Sequence, residues 1–452
     1  MHKEFIFREY DIRGVYQKDF DLNFAEDLAR AICSFIAKRG SAKPKITVGY
    51  DARLSSPDIE KAVIRGLIDS GAEVITLGLI TTPISYFSMF HLQADGGIMI
   101  TGSHNPPDYN GFKISYGKST LFGDDIQELG KIMSKVDYVQ GKGSVRSFDI
   151  FPDYVERYKK EFSGLKNIPI VVDCGNGAAG CIARRMYEAV GLTPEIIFEK
   201  PDGRFPNHHP DPTVEENLTE LKARVIATKA RVGIGFDGDC DRIGVVDEAG
   251  RFLLGDELMV IWSRDILKKI PGAKIIGDVK CTDRLYADIA KHGGQPIMWK
   301  TGHSLIKNKI KEEHAPFGGE LSGHIFFADR NYGYDDALYA GLRLIEILSE
   351  SGLSLQELLA GVPGAFNTPE IRLDTTEEKK KTIVSALAEY FKKQSGVTLN
   401  FIDGVRVSYA DGWALVRASN TQPVVVVRFE SSTPERLEEI KSSVLKVIEP
   451  LL

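Results

Sequence analysis

Gly97-Ile98-Met99-Ile100-Thr101-Gly102-Ser103-His104-Asn105-Pro106 is the stretch from which the chain is best read. Its apolar start reads as a buried strand, and the Gly, Asn and Pro that follow end it as a turn. A serine hydroxyl is thereby held at a strand's carboxyl end. In an open α/β sheet this is where ligands bind. Lys113, in Gly111-Phe112-Lys113, brings positive charge to the same crevice. An isolated Ser-His pair would be an ordinary strand-to-loop turn. Three polar loops further along, each suited to a phosphorylated ligand, argue against that here.

The second loop, Asp237-Gly238-Asp239-Cys240-Asp241-Arg242, joins the apolar runs 232–236 and 243–246, which read as adjoining strands. Alternation puts Asp237, Asp239 and Asp241 on one side of the connection. Carboxylates so crowded repel unless a cation neutralises them. Oxygen-only ligands suit a hard ion, Mg²⁺ or Ca²⁺. A helix-loop-helix calcium site is excluded, because Arg242 stands where its sixth-position Gly must be and strand-like residues run from there to Glu248. Cys240 is too soft for Mg²⁺ and is expected to point into the core.

The third loop is Gly318-Gly319-Glu320-Leu321-Ser322-Gly323-His324, in which Glu320 and Ser322 suit sugar hydroxyls. The fourth, Arg417-Ala418-Ser419-Asn420-Thr421, lies between strand-like runs 413–416 and 424–428. It supplies a fork of donors and no acid, which is what a phosphate dianion takes.

Together these loops resemble the α-D-phosphohexomutase family and, within it, the bacterial phosphomannomutase/phosphoglucomutase group. The resemblance covers nearly the whole chain. It starts at Phe7-Arg8-Glu9-Tyr10-Asp11-Ile12-Arg13-Gly14, passes through Asp278-Val279-Lys280 and Thr301-Gly302-His303, and ends at the fourth loop. It implies three similar mixed-sheet α/β domains and a smaller C-terminal α+β domain around a central cleft, divided as 1–148, 149–250, 251–364 and 365–452.

The resemblance also implies a chemistry. Ser103 carries a phosphoryl group and donates it to a hexose monophosphate. The resulting hexose 1,6-bisphosphate turns over in the cleft and returns its other phosphate. Hexose 1-phosphate and hexose 6-phosphate are thus interconverted. Mg²⁺ is expected on Ser103, Asp237, Asp239 and Asp241, and glucose or mannose 1,6-bisphosphate as activator. Arg242 and Lys113 add positive charge, and Lys113 and His324 are the candidates for the base. Glu320 and Ser322 hold sugar hydroxyls. His104, Tyr10, Arg13, Lys280 and His303 support the ring and phosphates. Arg417, Ser419, Asn420 and Thr421 take the distal phosphate. Leu321 stands where the mannose/glucose group has Met and the glucosamine-specific relatives have Gln; Leu is near-isosteric with Met, which favours mannose or glucose. A phosphoglucosamine mutase is the alternative inside the family.

Other classes fare worse. Gly175-Asn176-Gly177-Ala178-Ala179-Gly180 fits G-x-G-x-x-G after a strand, with Glu195 and Glu199 downstream, as in a nicotinamide-dependent oxidoreductase. That reading leaves Ser103, the aspartates and the arginine loop without a task; the motif is expected to be a tight turn with close packing, its helix amino terminus aimed at the cleft. A metal-dependent phosphatase wants further histidine ligands, and the adjacent pair His208-His209 lies in a Pro/Asp-rich loop. A non-catalytic sugar-phosphate receptor needs neither Ser103 nor the aspartates.

Composition agrees with an enzyme acting on small molecules. The net charge of −6 over 452 residues argues against nucleic acid as partner. The five cysteines have no C-x-x-C spacing, and fit a reducing cytoplasm without zinc or disulfides. No apolar run approaches ~20 residues, so no membrane span is expected, and no obligatory protein partner is evident. Strand-helix alternation runs through the first 360 or so residues. Helices are expected over 24–38 and, capped by Ser56-Pro57-Asp58, over 56–70; seams are expected at 141–147, 249–250 and 361–364. After the last, helix 376–393, short strands over 398–429 and helix 434–449 read as the smaller domain.

Overall fold

The computed structural model describes residues 6–419 and 423–452. Four sheets organise them. The first runs Ile12–Val15, Tyr109–Tyr116, Gly96–Ile100, Lys45–Tyr50, Glu73–Leu79, Ser144–Ser147. Its inner strands are buried on both faces, because helices cover both sides, and so they read as apolar runs without alternation. The second runs Phe252–Leu253, Ile243–Asp247, Val232–Phe236, Ile170–Asp173, Glu195–Ile197. The third runs Gln295–Trp299, Lys274–Asp278, Phe317–Gly319, Ile325–Phe327.

These three sheets share one local device that no sequence motif betrays. Gly96–Ile100 is parallel to Lys45–Tyr50, then reverses into antiparallel Tyr109–Tyr116. Val232–Phe236 is parallel to Ile170–Asp173, then reverses into Ile243–Asp247. Phe317–Gly319 is parallel to Lys274–Asp278, then reverses into Ile325–Phe327. Each reversal is one of the polar loops. The fourth sheet is antiparallel throughout, with Gly412–Ala418 and Val424–Ser431 flanking its own polar loop. Helices Glu377–Phe391 and Pro434–Ile448 cover it.

The first sheet closes a core with helices Leu22–Ala37, Ser56–Asp69 and Asp124–Lys135. A larger core runs without a break from Ile75 and Phe87 through the second and third sheets. Helix Ala337–Ser351 ties these together: it leaves the third sheet, yet Gly341 sits against Ile234 of the second. The fourth unit has a separate core and docks on the third through Trp413, Leu415 and Val279. Arg406 lies 3.8 Å over the Trp413 ring and donates to the Val279 and Cys281 carbonyls.

Some local expectations change. Ser56 does not cap its helix: Ser55 stands at the N-cap, and the Ser56 hydroxyl donates to Asp51 at 2.8 Å. Within the seam expected at 141–147, Ser144–Ser147 pairs with Glu73–Leu79 as an edge strand; all four residues are exposed, so hydrophobicity gives no sign of it. Ala249-Gly250 is the turn of a hairpin, and the second sheet continues to Leu253.

Candidate active site

The serine loop and the aspartate loop meet edge to edge. A Cβ at Gly238 would lie 2.4 Å from the Ser103 carbonyl oxygen, so only glycine permits the approach. Ser103 is buried at 2 % exposure and has φ +50°, a left-handed conformation uncommon for a side-chain-bearing residue. Its hydroxyl donates to Asp237 Oδ2 at 2.9 Å and lies 3.2 Å from His104 Nδ1. The one serine proton cannot serve both. With it on Asp237, His104 donates from Nδ1, and burial followed by Arg242 lowers His104 well below its ordinary value, keeping the ring neutral.

Asp237, Asp239 and Asp241 each offer an oxygen within 4.8 Å of the others, and all three are fully buried. The turn that gathers them puts Cys240 at φ +65° and sends its thiol into the large core, as expected. Burial, then the neighbouring aspartates, drives Asp237 well above the carboxylate range. Lys113 offsets part of this, donating to Asp239 Oδ2 at 2.8 Å and to Asp241 Oδ2. Burial would lower the Lys113 ammonium, but Asp239 and Asp241 outweigh it and raise it instead. Thr82 donates to Asp239 at 2.6 Å. Asp239 Oδ1 and Asp241 Oδ1 remain buried without a hydrogen-bond partner. Buried carboxylate oxygens in this state are what a hard divalent cation satisfies, so the donor set fits Mg²⁺.

The aspartate loop also touches the third loop. Arg242 and His324 form a β-bridge, Ile243 N–H donates to the Gly323 carbonyl at 3.1 Å, and Arg242 Nε donates to His324 Nε2 at 3.0 Å. That bond places the imidazole proton on Nδ1, which faces Asp335 at 3.0 Å and Asp241 at 3.6 Å. Asp335 in turn accepts from Lys307 at 3.1 Å. His303 packs beside His324, with ring centroids 5.5 Å apart, and burial followed by Lys307 lowers it well below its ordinary value.

Glu320 accepts the Gly302 N–H at 2.6 Å, and burial raises it from its ordinary value. Asp278 joins the two third-unit motifs, accepting from Thr301 Oγ1 at 2.9 Å and from Leu321 N–H at 3.2 Å. Ser322 is half-buried at the loop tip. Tyr10 reaches in from the first unit: its hydroxyl donates to the Thr301 carbonyl at 2.8 Å, and Gly302, at φ +136°, leaves room for its ring. Arg13 donates to Asn105 at 3.1 Å and pairs with Asp11. Arg417 faces this group from the fourth unit, and Ser419 is buried beside it, its carbonyl accepting from Lys380 at 2.7 Å. Asn420 and Thr421 lie outside the described residues.

Two of the basic groups here, Arg417 and Lys280, already have carboxylate partners that carry no sequence motif. Arg417 is held by Asp403 at 3.0 Å, and Asp403 also accepts the Thr301 N–H at 3.1 Å. Lys280 pairs with Glu370 at 2.8 Å. Asp335, Lys307, Asp403 and Glu370 are single charged residues with no local motif, so nothing in the sequence marks them.

The glycine-rich decoy packs as expected but does not open on the cleft. Gly177 abuts the Gly238 carbonyl, and the Ala178 N–H donates to that same oxygen at 2.9 Å, so this terminus is spent on the back of the aspartate loop. Glu199 and Glu195 are paired with Arg184 and Arg224 at the surface. His208 is bound to Asp173 at 3.0 Å and does not join the aspartate cluster. No helix among the described residues is long and apolar enough to cross a membrane.

Comparison with known proteins gives a consistent result. The chain matches the phosphoglucomutase/phosphomannomutase models for alpha/beta/alpha domain I over residues 4–140, domain II over 152–250, domain III over 254–366 and the C-terminal domain over 370–447. It is 46% identical over 437 residues to a phosphomannomutase/phosphoglucomutase of Pseudomonas aeruginosa, covering 97% of this chain and 94% of that protein. It is 42% identical to a phosphoglucomutase of Neisseria gonorrhoeae, covering 98% and 96%. A crystal structure of a phosphoglucomutase/phosphomannomutase family protein from Burkholderia thailandensis superposes with a TM-score of 0.93 at 40% identity, covering 100% of this chain and 98% of that one.

Proposed function

We infer the activity from the family: this chain belongs to the phosphoglucomutase/phosphomannomutase family along all four domains, and it interconverts hexose 1-phosphate and hexose 6-phosphate. The observation that carries the chemistry is Ser103, its hydroxyl 2.9 Å from Asp237 at the edge of a buried, oxygen-only cluster. Ser103 is the phosphoryl carrier. The phosphoserine gives its phosphoryl group to the free hydroxyl of a hexose monophosphate; the P–Oγ bond breaks as the new P–O bond forms. The hexose 1,6-bisphosphate turns over, and its other phosphate passes back to Ser103. Both directions use the same groups, so the reaction is reversible, and added bisphosphate activates dephosphorylated enzyme.

Asp237, Asp239, Asp241 and the Ser103 oxygen would hold Mg²⁺, which when bound supplies positive charge against the anion in transfer. Lys113 and Arg242 border that charge from either side. The attacking sugar hydroxyl must lose a proton. Lys113 is held as an ammonium by two aspartates, so it acts as a base only after those contacts loosen. His324 accepts at Nε2 once Arg242 moves to substrate phosphate, and Asp335 steadies the proton on Nδ1. His324 is therefore the better base. Glu320 and Ser322 receive the sugar hydroxyls, with Tyr10, Arg13, His104, Lys280 and His303 around the ring and phosphates. Arg417, Ser419, Asn420 and Thr421 take the distal phosphate. Closing these groups over substrate excludes water, which would otherwise take the phosphoryl group.

The hexose is mannose, glucose or both, as Leu321 and the names of the relatives favour; the protein acts in the cytoplasm. The test offers purified protein mannose 1-phosphate, glucose 1-phosphate and glucosamine 1-phosphate in parallel, with intact mass read before and after. One phosphate on Ser103 and turnover of the first two are expected. A preference for glucosamine 1-phosphate would move the chain to the alternative specificity, and turnover by Ser103→Ala would refute the carrier.

A further inference from the structure

Beneath the serine loop lies a buried pair, Asp51 and Arg53, each about 1 % exposed. The pair accounts for the whole backbone of Ser103. Arg53 Nη2 donates to the Ser103 carbonyl at 2.8 Å and to the Asn105 carbonyl at 2.5 Å. Arg53 Nη1 donates to the Pro106 carbonyl, and to that of Tyr109 at 2.9 Å. Nε donates to Asp51 Oδ2 at 3.1 Å. A guanidinium has five N–H donors, and all are spent within the protein. Arg53 therefore has none left for a substrate phosphate, and its charge is balanced by Asp51.

Asp51 completes the hold from the other side. Its Oδ2 also accepts from Thr101 Oγ1 at 2.9 Å and from the Gly102 N–H at 3.1 Å. Thr101 Oγ1 in turn accepts the Ser103 N–H at 2.8 Å. Both backbone groups of Ser103 thus lead back to one ion pair, on the loop after strand Lys45–Tyr50. Such over-determination suits a residue at φ +50°, a left-handed conformation that persists in a side-chain-bearing residue only when its surroundings impose it. Phe205 of the second unit covers the guanidinium, 5.3 Å from its ring centroid, so the hold is built where the serine and aspartate loops meet.

We propose that Asp51 and Arg53 are positioning residues that aim the Ser103 oxygen at the aspartate cluster, acting through the loop's carbonyls and through Thr101 without touching substrate. The proposal rests on Ser103 being the phosphoryl carrier. Loosening the brace lets the phosphoserine swing out of line, which slows transfer to the sugar without altering how the sugar is held. Water meets it more readily; water then attacks phosphorus, the P–Oγ bond breaks, and inorganic phosphate leaves with the serine hydroxyl restored.

The test compares Arg53→Lys, Thr101→Val and Thr101→Ser with the unmodified protein, after phosphorylation by glucose 1,6-bisphosphate. A lysine cannot span four carbonyls, so Arg53→Lys should lower kcat ~100-fold, the size expected for a misplacement of about 1 Å, while KM for glucose 1-phosphate stays within about twofold. Inorganic phosphate release from the phosphorylated enzyme should rise. Thr101→Val should move the same way by a smaller factor, and Thr101→Ser, which keeps the hydroxyl, should restore kcat. A folded Arg53→Lys with unchanged kcat, a change confined to KM, or identical behaviour of the two Thr101 variants would overturn the brace. If Arg53→Lys does not fold, the Thr101 pair decides. Intact mass separates the two readings: no phosphate on Ser103 in the unmodified protein refutes the carrier, whereas phosphate there with inert variants refutes only the brace.

Discussion

At Ser103 the amide, carbonyl and hydroxyl are all bonded to buried groups of the first two units, whereas at Arg417 the guanidinium rests, among the described residues, on one carboxylate, Asp403, in its own unit. The conformational cost of the serine loop is met when the chain folds. The arginine end is occupied by a carboxylate that resembles a phosphate in charge and in its acceptor oxygens. Lys280 repeats the arrangement with Glu370, across the junction of the third and fourth units. Carboxylates can give way to phosphate without any cation becoming unpaired. On the proposed mechanism, one end would fix where chemistry occurs, and the other would exchange partners as the substrate enters, turns and leaves.

The largest effect that tests this contrast is Ser103→Ala. Loss of a covalent carrier should lower turnover by at least ~10³-fold and remove the phosphate increment from the intact mass. A loss no greater than that from an Arg417 substitution would erase the distinction between the two ends.

Next comes the cation at the fixed end. Chelation should stop turnover and Mg²⁺ restore it. Asp239→Asn should slow transfer on the order of a hundredfold with little change in KM, because Asp239 faces Lys113 and Thr82 and not the distal phosphate. Mg²⁺ titrations of turnover in both proteins check this, and activity undiminished by chelators would show that Lys113 alone suffices to neutralise the cluster.

Smaller again is Arg417→Ala. A partly desolvated, charge-assisted phosphate contact contributes about 1.5–3 kcal/mol, so kcat/KM should fall roughly ten- to a hundredfold. The fall should be equal for 1-phosphate to 6-phosphate and the reverse, Ser103 should still be phosphorylated, and more 1,6-bisphosphate should escape. Loss in one direction only, without leakage, would mean that Arg417 serves a single pose.

Much of the fixed end was legible in the sequence, because it is written locally. Apolar runs ending in Gly, Asn and Pro mark the strand before Ser103, and three aspartates at alternate positions mark the second loop. The exchangeable end was legible only by half. Arg417 lies in a readable loop, but Asp403 and Glu370 stand alone in the sequence and gain meaning only from partners brought to them by the fold. The Asp51–Arg53 pair escaped for the same reason, since its targets lie some 50 residues on. The three-fold likeness of the first units escaped for another: it is a likeness of strand pairing, which different sequences satisfy equally. Ser56 misled because a serine at a helix start is usually a cap, and here its hydroxyl serves Asp51.

The smallest effect, and the one that sharpens the comparison most, is at Glu370. Burial would raise this carboxyl, but Lys280, with Arg417 behind it, pulls it down to about 2. A carboxyl depressed on folding stabilises the protein above its unfolded pKa, ordinarily near 4.5, and loses that contribution as pH falls toward the folded value. The contribution is therefore complete at neutral pH, declines below about pH 4.5 and is gone near pH 2. Glu370→Gln should cost about 1 kcal/mol at pH 7, given a partly exposed pair. The gap between the two proteins should narrow as pH falls through that window. Trp413, buried at the junction of the third and fourth units, reports the event by fluorescence in urea titrations at each pH. In catalysis the variant should move oppositely to an ordinary lesion: with its competitor removed, Lys280 should take substrate phosphate more readily, and KM for glucose 1-phosphate should fall a few-fold while product release slows. A KM that rises in Glu370→Gln would show that the carboxylate holds Lys280 in place and does not stand in for phosphate, and the exchangeable end would then be as fixed as the other.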